Sequence, residues 1–234
     1  MKVVTWNMGC GPRQSGYRKH HDEAWQYLLE QLKPDVAFVQ ETLLSRLDKV
    51  HSTHAVRVCQ LPAHSDSGTA ILTRIDLSAT DGPSVSISDE TYAATARLKT
   101  PAGPLDLISL HVYPGKKQFE DLERIVGLAG GFDTPTLVGG DLNSQRKYGP
   151  RHAKFFGALE ATGMHDAYFG KHGEEGWSFW GKQAKNKYQD DHFFVSESWA
   201  PRVRSCEIIN EGIVRTVSDH GPVVLEMDLE RGQP

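Results

Sequence analysis

The chain is punctuated by short apolar runs, rich in β-branched and aromatic residues, and several of them end in a carboxylate, an amide or a histidine. Val3, Val4 and Trp6 open the first. VAFVQ (36–40), HAVRVCQ (54–60), TAILT (69–73), TYAATARL (91–98), LDLISLHV (105–112) and LVGGD (137–141) follow, then HFFVS (192–196), RVRSCEII (202–209) and PVVLEMDL (222–229). Runs of this length bounded by turn residues read as strands. Helical spacing marks other stretches. Trp25, Leu28, Leu29 and Leu32 precede a Lys33-Pro34 stop; Phe119, Leu122, Ile125 and Val126 follow Gln118; Phe155, Phe156 and Leu159 lie within residues 151–161. Strands joined by short loops pair antiparallel, whereas strands separated by helices call for crossovers. The pattern predicts a mixed α/β layered domain rather than a purely parallel sheet.

At 234 residues the chain can bury the core of one such domain, and it contains no internal repeat, low-complexity tract or Pro/Ser-rich linker. One domain over residues 1–234 is expected. The net charge of −4 supplies no global attraction to nucleic acid or to an anionic membrane, so any polyanion must be held by local patches. Cys10, Cys59 and Cys206 are odd in number and dispersed, which fits thiols in a reducing compartment better than a disulfide framework or a zinc site. MKVVTWNMG enters a strand without the apolar region of a secretory signal, and no run reaches membrane-spanning length. A cytoplasmic monomer without a membrane partner is the expectation.

The strand ends carry the chemistry. They present Asn7, Glu41, His111, Asp141 with Asn143, Asp191, and the pair Asp219-His220. Each alone has an ordinary reading as a turn cap, a solvated acid or a hydrogen-bonded core histidine. Together they place carboxylates, amides and imidazoles where the strands of one sheet converge. In LVGGDLNSQ, Asp141 and Asn143 stand two apart and share a face of extended chain at the C-terminal mouth of a strand. Hard divalent cations take carboxylate and amide oxygens. Phosphoryl transfer needs an oriented nucleophile and neutralised phosphate oxygens rather than a covalent intermediate. There is no GxSxG, no cysteine stands beside a histidine, and HSTH (51–54) lacks the flanking acid of a zinc site.

In order, TWNMG, VQET, SLHVYP, GGDLNS, DDHFFVS and SDHGPV resemble the motif set of the endonuclease/exonuclease/phosphatase superfamily. That superfamily includes pancreatic-type deoxyribonuclease, apurinic endonucleases, neutral sphingomyelinases and inositol polyphosphate 5-phosphatases. The resemblance runs from Val3 to about Leu229, and GTAILTR (68–74), GMHDAY (163–168) and WSFW (177–180) agree with it. It implies a four-layer α/β/β/α sandwich of two packed mixed β-sheets with helices outside, and hydrolysis of a phosphoester with Mg²⁺, or Mn²⁺ in its place. Carried over by position, it implies that Glu41 is the main metal carboxylate, with Asn7 beside metal and phosphate and Asp219 close to the metal. Asp141 and Asn143 correspond to the pair that orients water and contacts phosphate, and Asp191 and His220 to a carboxylate–imidazole dyad. His111 matches a histidine of the deoxyribonuclease-like members, and HVYP is similar to that branch. Gly9 departs from the many apurinic endonucleases that carry an Asp there, which argues against an abasic-site enzyme.

Basic residues cluster in the loops that leave the motif-bearing strand ends. Residues 144–154 contain Arg146, Lys147, Arg151 and Lys154, residues 181–188 contain Lys182, Lys185 and Lys187, and residues 115–118 contain Lys116 and Lys117, all without an acid. Such loops can follow several phosphates, with Tyr148, Trp180 and Tyr188 available to stack on bases. Trp177 and Phe179 read equally well as core. Lys116, Arg146, Lys147, Tyr148, Arg151, Trp180 and Tyr188 are therefore the candidate substrate-binding residues. The leading expectation is a Mg²⁺-dependent phosphodiesterase acting on DNA. The alternatives are a phosphatase or phosphodiesterase for a phosphorylated lipid or inositol-type small molecule, and a non-catalytic nucleic-acid-binding module.

Overall fold

Two six-stranded mixed sheets stack face to face in the computed structural model, which describes residues 1–10, 17, 19–59, 67–180 and 187–230. The first sheet contains β1 (Lys2–Asn7), β2 (Val36–Leu43), β3 (His54–Cys59), β4 (Ser67–Arg74), β11 (Val203–Ile208) and β12 (Val223–Met227), in the order β11-β12-β1-β2-β4-β3. The second contains β5 (Ala79–Asp81), β6 (Tyr92–Thr100), β7 (Gly103–His111), β8 (Thr136–Asp141), β9 (Met164–Asp166) and β10 (Asp191–Ser196), in the order β5-β6-β7-β8-β10-β9.

Each sheet has a parallel pair at its centre, β1 with β2 and β7 with β8, and antiparallel neighbours elsewhere. A parallel pair needs a crossover. For the first it is helix α1 (His21–Gln26, continued by a π-helical segment Tyr27–Leu32), and for the second helix α2 (Gln118–Ala129). The register sets Asn7 opposite Gln40 and His111 opposite Asp141, so both parallel pairs end at the same mouth.

Alternation along the strands builds three apolar layers. Val3, Phe38, Ile71, Leu107, Leu137, Phe193 and Leu225 meet between the sheets, all fully buried. Val4, Trp6, Trp25, Leu28 and Val39 pack the outer face of the first sheet against α1 and helix α5 (Val214–Val217). Leu122, Ile125, Phe155, Phe156 and Phe194 pack the second sheet against α2 and helix α3 (Pro150–Glu160). The result is the expected helix–sheet–sheet–helix sandwich. Phe38 and Phe193 face each other across the middle layer at 5.7 Å. Truncating either to alanine would cost about 3–5 kcal/mol.

The glycines of LVGGD are explained by close approach. A Cβ on Gly139 would lie 2.5 Å from the Phe193 ring, and one on Gly140 (φ 137°) would overlap the Leu110 carbonyl oxygen. Only glycine lets β8 fit between β7 and β10 here.

Some elements differ from the sequence pattern. α1 begins at His21, before the first apolar residue of its periodic stretch, and it ends where Lys33 turns left-handed (φ 49°) ahead of Pro34. β5, β9 and helix α4 (Ala167–His172) are too short to show a period; α4 is capped by Asp166 Oδ1, which accepts from the Phe169 amide at 3.1 Å. Among the described residues no helix is long and apolar enough to cross a membrane.

Candidate active site

The mouth ends of β1, β2, β7 and β8, the start of β10, and the turn between α5 and β12 converge. Asn7 Nδ2 donates to Asp141 Oδ2 at 2.8 Å, and Asn7 Oδ1 accepts from the Gly9 amide at 2.9 Å. The Asn7–Asp141 bond ties the first sheet to the second. Asp141 Oδ1 accepts from the Asn143 backbone amide at 2.8 Å, while Asn143 Nδ2 donates to the Val112 carbonyl at 2.9 Å. Asn143 thus spends one side-chain N–H on holding its own loop. His111 Nε2 stands 3.6 Å from Glu41 Oε1 and 3.7 Å from Asp141 Oδ2, a second bridge between the sheets. Its ring stacks on Tyr92 at 5.7 Å, and burial pushes the Tyr92 phenol up to about 12.

On the other side, His220 Nδ1 donates to Asp191 Oδ2 at 2.8 Å, and His220 Nε2 faces Asp141 Oδ2 at 3.9 Å. The carboxylate acceptor places a proton on Nδ1. Ser178 Oγ donates to the same Asp191 oxygen at 2.7 Å and accepts from the amides of Asp190 and Asp191 at 3.1 and 3.0 Å. The turn carrying His220 is fixed as firmly. Ser218 Oγ accepts the His220 amide at 3.0 Å and donates to the Asn7 carbonyl at 2.7 Å; Trp6 Nε1 donates to the His220 carbonyl at 2.8 Å.

Asp141, Asp190, Asp191 and His220 are all buried, and no lysine or arginine pairs with these three acids among the described residues. Burial holds the Asp141 carboxyl well above the carboxylate range; His220 opposes this, and Asp191 and Asp190 reinforce it. Burial alone would lower the His220 imidazole, but Asp191 and Asp141 outweigh it and hold it well above its ordinary value. Burial likewise raises Asp190 to about 6, with His220 and the Tyr148 hydroxyl holding it down. Burial thus keeps protons on the Asp141 and Asp190 carboxyls, and the neighbouring carboxylates keep one on His220, at pH values where the isolated groups would lose them.

A divalent cation suits this wall. Asp141, Asp191 and His220 present ligand atoms within 4.8 Å of one another, and Asp191 Oδ1 is buried without a hydrogen-bond partner. With His220 Nδ1 given to Asp191, this trio is better built to relay a proton than to cage a metal. Hard cations favour oxygen, and Glu41, the least buried of the acids at 18% side-chain exposure, faces the mouth. Asp219 lies in the turn before β12, and a Cβ on Gly9 would stand 3.2 Å from Asp219 Oδ1. An acid at position 9 would therefore crowd Asp219.

The candidate substrate residues divide. Lys116, Lys147 and Arg151 are exposed, and the Arg151 guanidinium lies over Phe119 at 3.8 Å. Tyr148 donates to Asp190 Oδ1 at 2.8 Å and sets its ring edge against Tyr188 at 4.8 Å. Burial and Asp190 raise its phenol. Two residues differ from the sequence expectation. Arg146 does not reach outward: it donates to Asp166 Oδ2 at 2.9 Å, pairs with Glu160 and lies over Phe156 and Phe169, because the buried Asp166 carboxylate needs a counter-charge. Trp180 is 6% exposed within the layer formed by Val214 and Val217, so it has no face to offer a base. Lys182 and Lys185 lie outside the described residues.

Ser178 and Asp190 are participants the sequence reading passed over. A serine between aromatics and a second acid entering a buried strand are the sequence signals that mark them. A third is His192, buried, whose Nε2 donates to the carbonyls of Ser144 and Gln189 at 3.0 and 2.9 Å and whose Nδ1 stands 3.4 Å from Asp166.

A sequence profile described as the endonuclease/exonuclease/phosphatase family matches residues 4–220. No curated protein sequence matches the chain. Solved structures share the fold at low identity. The endonuclease domain of TRAS1, a telomere-specific non-LTR retrotransposon, is 18% identical with a TM-score of 0.71, over 98% of this chain and 99% of that one. The AP endonuclease LMAP from Leishmania major is 20% identical with a TM-score of 0.72, over 97% and 87%. D. rerio TDP2 complexed with single-strand DNA product is 16% identical with a TM-score of 0.74, over 97% and 98%.

Proposed function

This chain belongs to the endonuclease/exonuclease/phosphatase family, and from that premise we propose that it is a divalent-metal-dependent phosphodiesterase that cleaves DNA. The observation that carries the reading is the continuous Asp191–His220–Asp141 chain, joined through Asp141 to Asn7 and through His111 to Glu41. Both sheets supply its members, and every side chain faces one mouth.

Asp191 accepts the hydrogen bond of the His220 Nδ1–H, fixes the tautomer and leaves Nε2 on the Asp141 side to accept a proton from water attacking phosphorus. Asp141, its oxygens held by Asn7 and the Asn143 amide, shares that proton, and the two groups act as one coupled acid–base pair. His111 holds a proton for the departing oxygen. A Mg²⁺ or Mn²⁺ ion held by Glu41, with Asn7 and Asp219 beside it, would neutralise non-bridging phosphate oxygens.

Support for DNA comes from the exposed Lys116, Lys147 and Arg151 beside the mouth, and from the structural neighbour seen with a single-strand DNA product. Incubation with supercoiled plasmid, single-stranded oligonucleotide, abasic duplex and a phosphoinositide panel, under Mg²⁺, Mn²⁺ or EDTA, tests it. Metal-dependent nicking is expected. Phosphate release from inositides alone would replace this reading with a small-molecule phosphatase, and DNA retention without cleavage would replace it with a binding module.

A further inference from the structure

Most described arginines are neutralised: Arg46, Arg57, Arg74, Arg97, Arg124, Arg146 and Arg204 each pair with a carboxylate. Arg215 does not. It is exposed on α5, within the segment that leads into Ser218, Asp219 and His220, and no carboxylate pairs with it among the described residues. Its guanidinium is laid over Trp177 at 4.7 Å and Trp180 at 5.4 Å. Lys187, also exposed and also without an ion pair among the described residues, sets its ammonium over the same Trp177 ring at 4.1 Å.

Two like charges sharing one indole is a costly arrangement unless an anion is brought to it. The ring quadrupole attracts each cation, but no carboxylate pairs with either of them among the described residues. The indole is itself anchored: Trp177 Nε1 donates to the Phe179 carbonyl at 2.9 Å, and its own carbonyl accepts from Asn210 Nδ2 at 3.3 Å. The neighbouring residues belong to the site. Ser178 bonds Asp191, the Phe179 ring lies 4.7 Å from His220, and the Trp180 amide donates to the Asp219 carbonyl at 3.1 Å. The two cations are therefore fixed in position on the first-sheet flank of the mouth. Arg151, on α3, holds the opposite, second-sheet flank in a similar pose over Phe119.

Resting on the nuclease reading, we propose that Arg215 and Lys187, mounted on Trp177, form a phosphate-binding platform for the nucleic-acid backbone next to the scissile phosphate. With its ring already covered by cationic heads, Trp177 positions charge and does not stack on bases. The platform holds phosphates regardless of base sequence. A strand entering over it passes the mouth and leaves toward Arg151.

The test is the salt dependence of binding to a fluorescein-labelled single-stranded oligonucleotide, followed by anisotropy in EDTA. Wild type is compared with Arg215→Gln, Lys187→Gln and the double variant. Arg204→Gln, at the far end of β11, serves as a control for lost net charge, and melting temperature is read for each. Each platform cation removed should make the slope of log K against log[salt] shallower by about 0.7, equally on homopolymer and mixed sequences. Arg215→Lys should restore the slope and Arg204→Gln should leave it unchanged. Slopes equal to wild type in the double variant, with or without a fall in melting temperature, overturn the platform while leaving the nuclease reading intact. Failure of the wild-type protein to bind any oligonucleotide overturns both.

Discussion

Glu41 and Asn143 hold the same left-handed backbone conformation, φ 45° and φ 47°, at the mouth ends of β2 and β8, the strands that run parallel to β1 and β7 in the two sheets. Neither is glycine. For an ordinary L-residue this conformation costs about 1–2 kcal/mol, and asparagine tolerates it better than glutamate. Strain of this kind persists where the surroundings over-determine it and is concentrated at functional sites. Here it turns one side chain from each sheet into a common mouth.

Glu41→Gly should therefore separate stability from activity. Relief of the backbone strain is worth about 1 kcal/mol, which is about 2–4 °C in melting temperature for a chain of this size, whereas phosphoester hydrolysis should be lost. A lower melting temperature would show that Glu41 is held by its contacts and not by its function.

His220→Ala and Asp141→Asn should each reduce hydrolysis by roughly 10²–10⁴ with an unchanged circular-dichroism spectrum. Near wild-type turnover in either variant would remove that residue from the chemistry.

The pH profile should carry the imprint of Asp191. Burial lowers the His220 imidazole, but Asp191 and Asp141 more than compensate, so a base function at Nε2 is gained only as pH rises through that elevated value. Replacing Asp191 by asparagine removes the stronger of the two raising charges. The acid limb of kcat/KM in the residual activity should then move to lower pH. A limb that stays in place would assign it to another group.

Stability has its own pH window at the Asp166–His192 pair. Burial lowers His192, but Asp166 raises it above its ordinary 6.5. Its contribution is thus complete below about pH 6.5 and fades as pH climbs through the raised value. Burial raises Asp166, but His192 and Arg146 hold it below 3.8. That contribution is present above about pH 3.8 and fades as pH falls through the lowered value. Asp166→Asn should cost about 3–5 kcal/mol, with the largest loss in melting temperature between about pH 4 and pH 6.5 and a smaller one on either side.

Arg146→Ala should behave as a stability variant. Removing the cation strands the buried Asp166 carboxylate and should cost about 3–5 kcal/mol, with KM for an oligonucleotide unchanged. A raised KM with an intact melting temperature would return Arg146 to the substrate side.

Much of this was legible in the chain because strand ends repeat one signal. An apolar run closing on an acid, amide or imidazole marks a mouth residue, and Asn7, Glu41, His111, Asp141, Asn143, Asp191, Asp219 and His220 all lie where the six motifs put them. What stayed hidden depends on long-range partners. Arg146 reads as a surface cation until β9 brings Asp166 beneath it, and Trp180 reads as a stacking platform until α5 covers it. Arg215 sits in a segment with no basic cluster around it, and only folding brings the Trp177 ring beneath it. Ser178 and Asp190 are ordinary in sequence and acquire their roles from side-chain hydrogen bonds that only the fold creates, Ser178 to Asp191 and Tyr148 to Asp190.

β1 lies between β2 and β12, so the seventh residue of the chain and the two hundred and twentieth share one wall. During synthesis the opening strand must wait, one edge unpaired, until β12 emerges. The same late stretch delivers Asp219 and His220. A ribosome-bound or prematurely terminated chain ending before that point has an incomplete sheet and no His220 beside Asp191. A half-made copy therefore lacks the Asp191–His220–Asp141 chain on which the proposed hydrolysis rests.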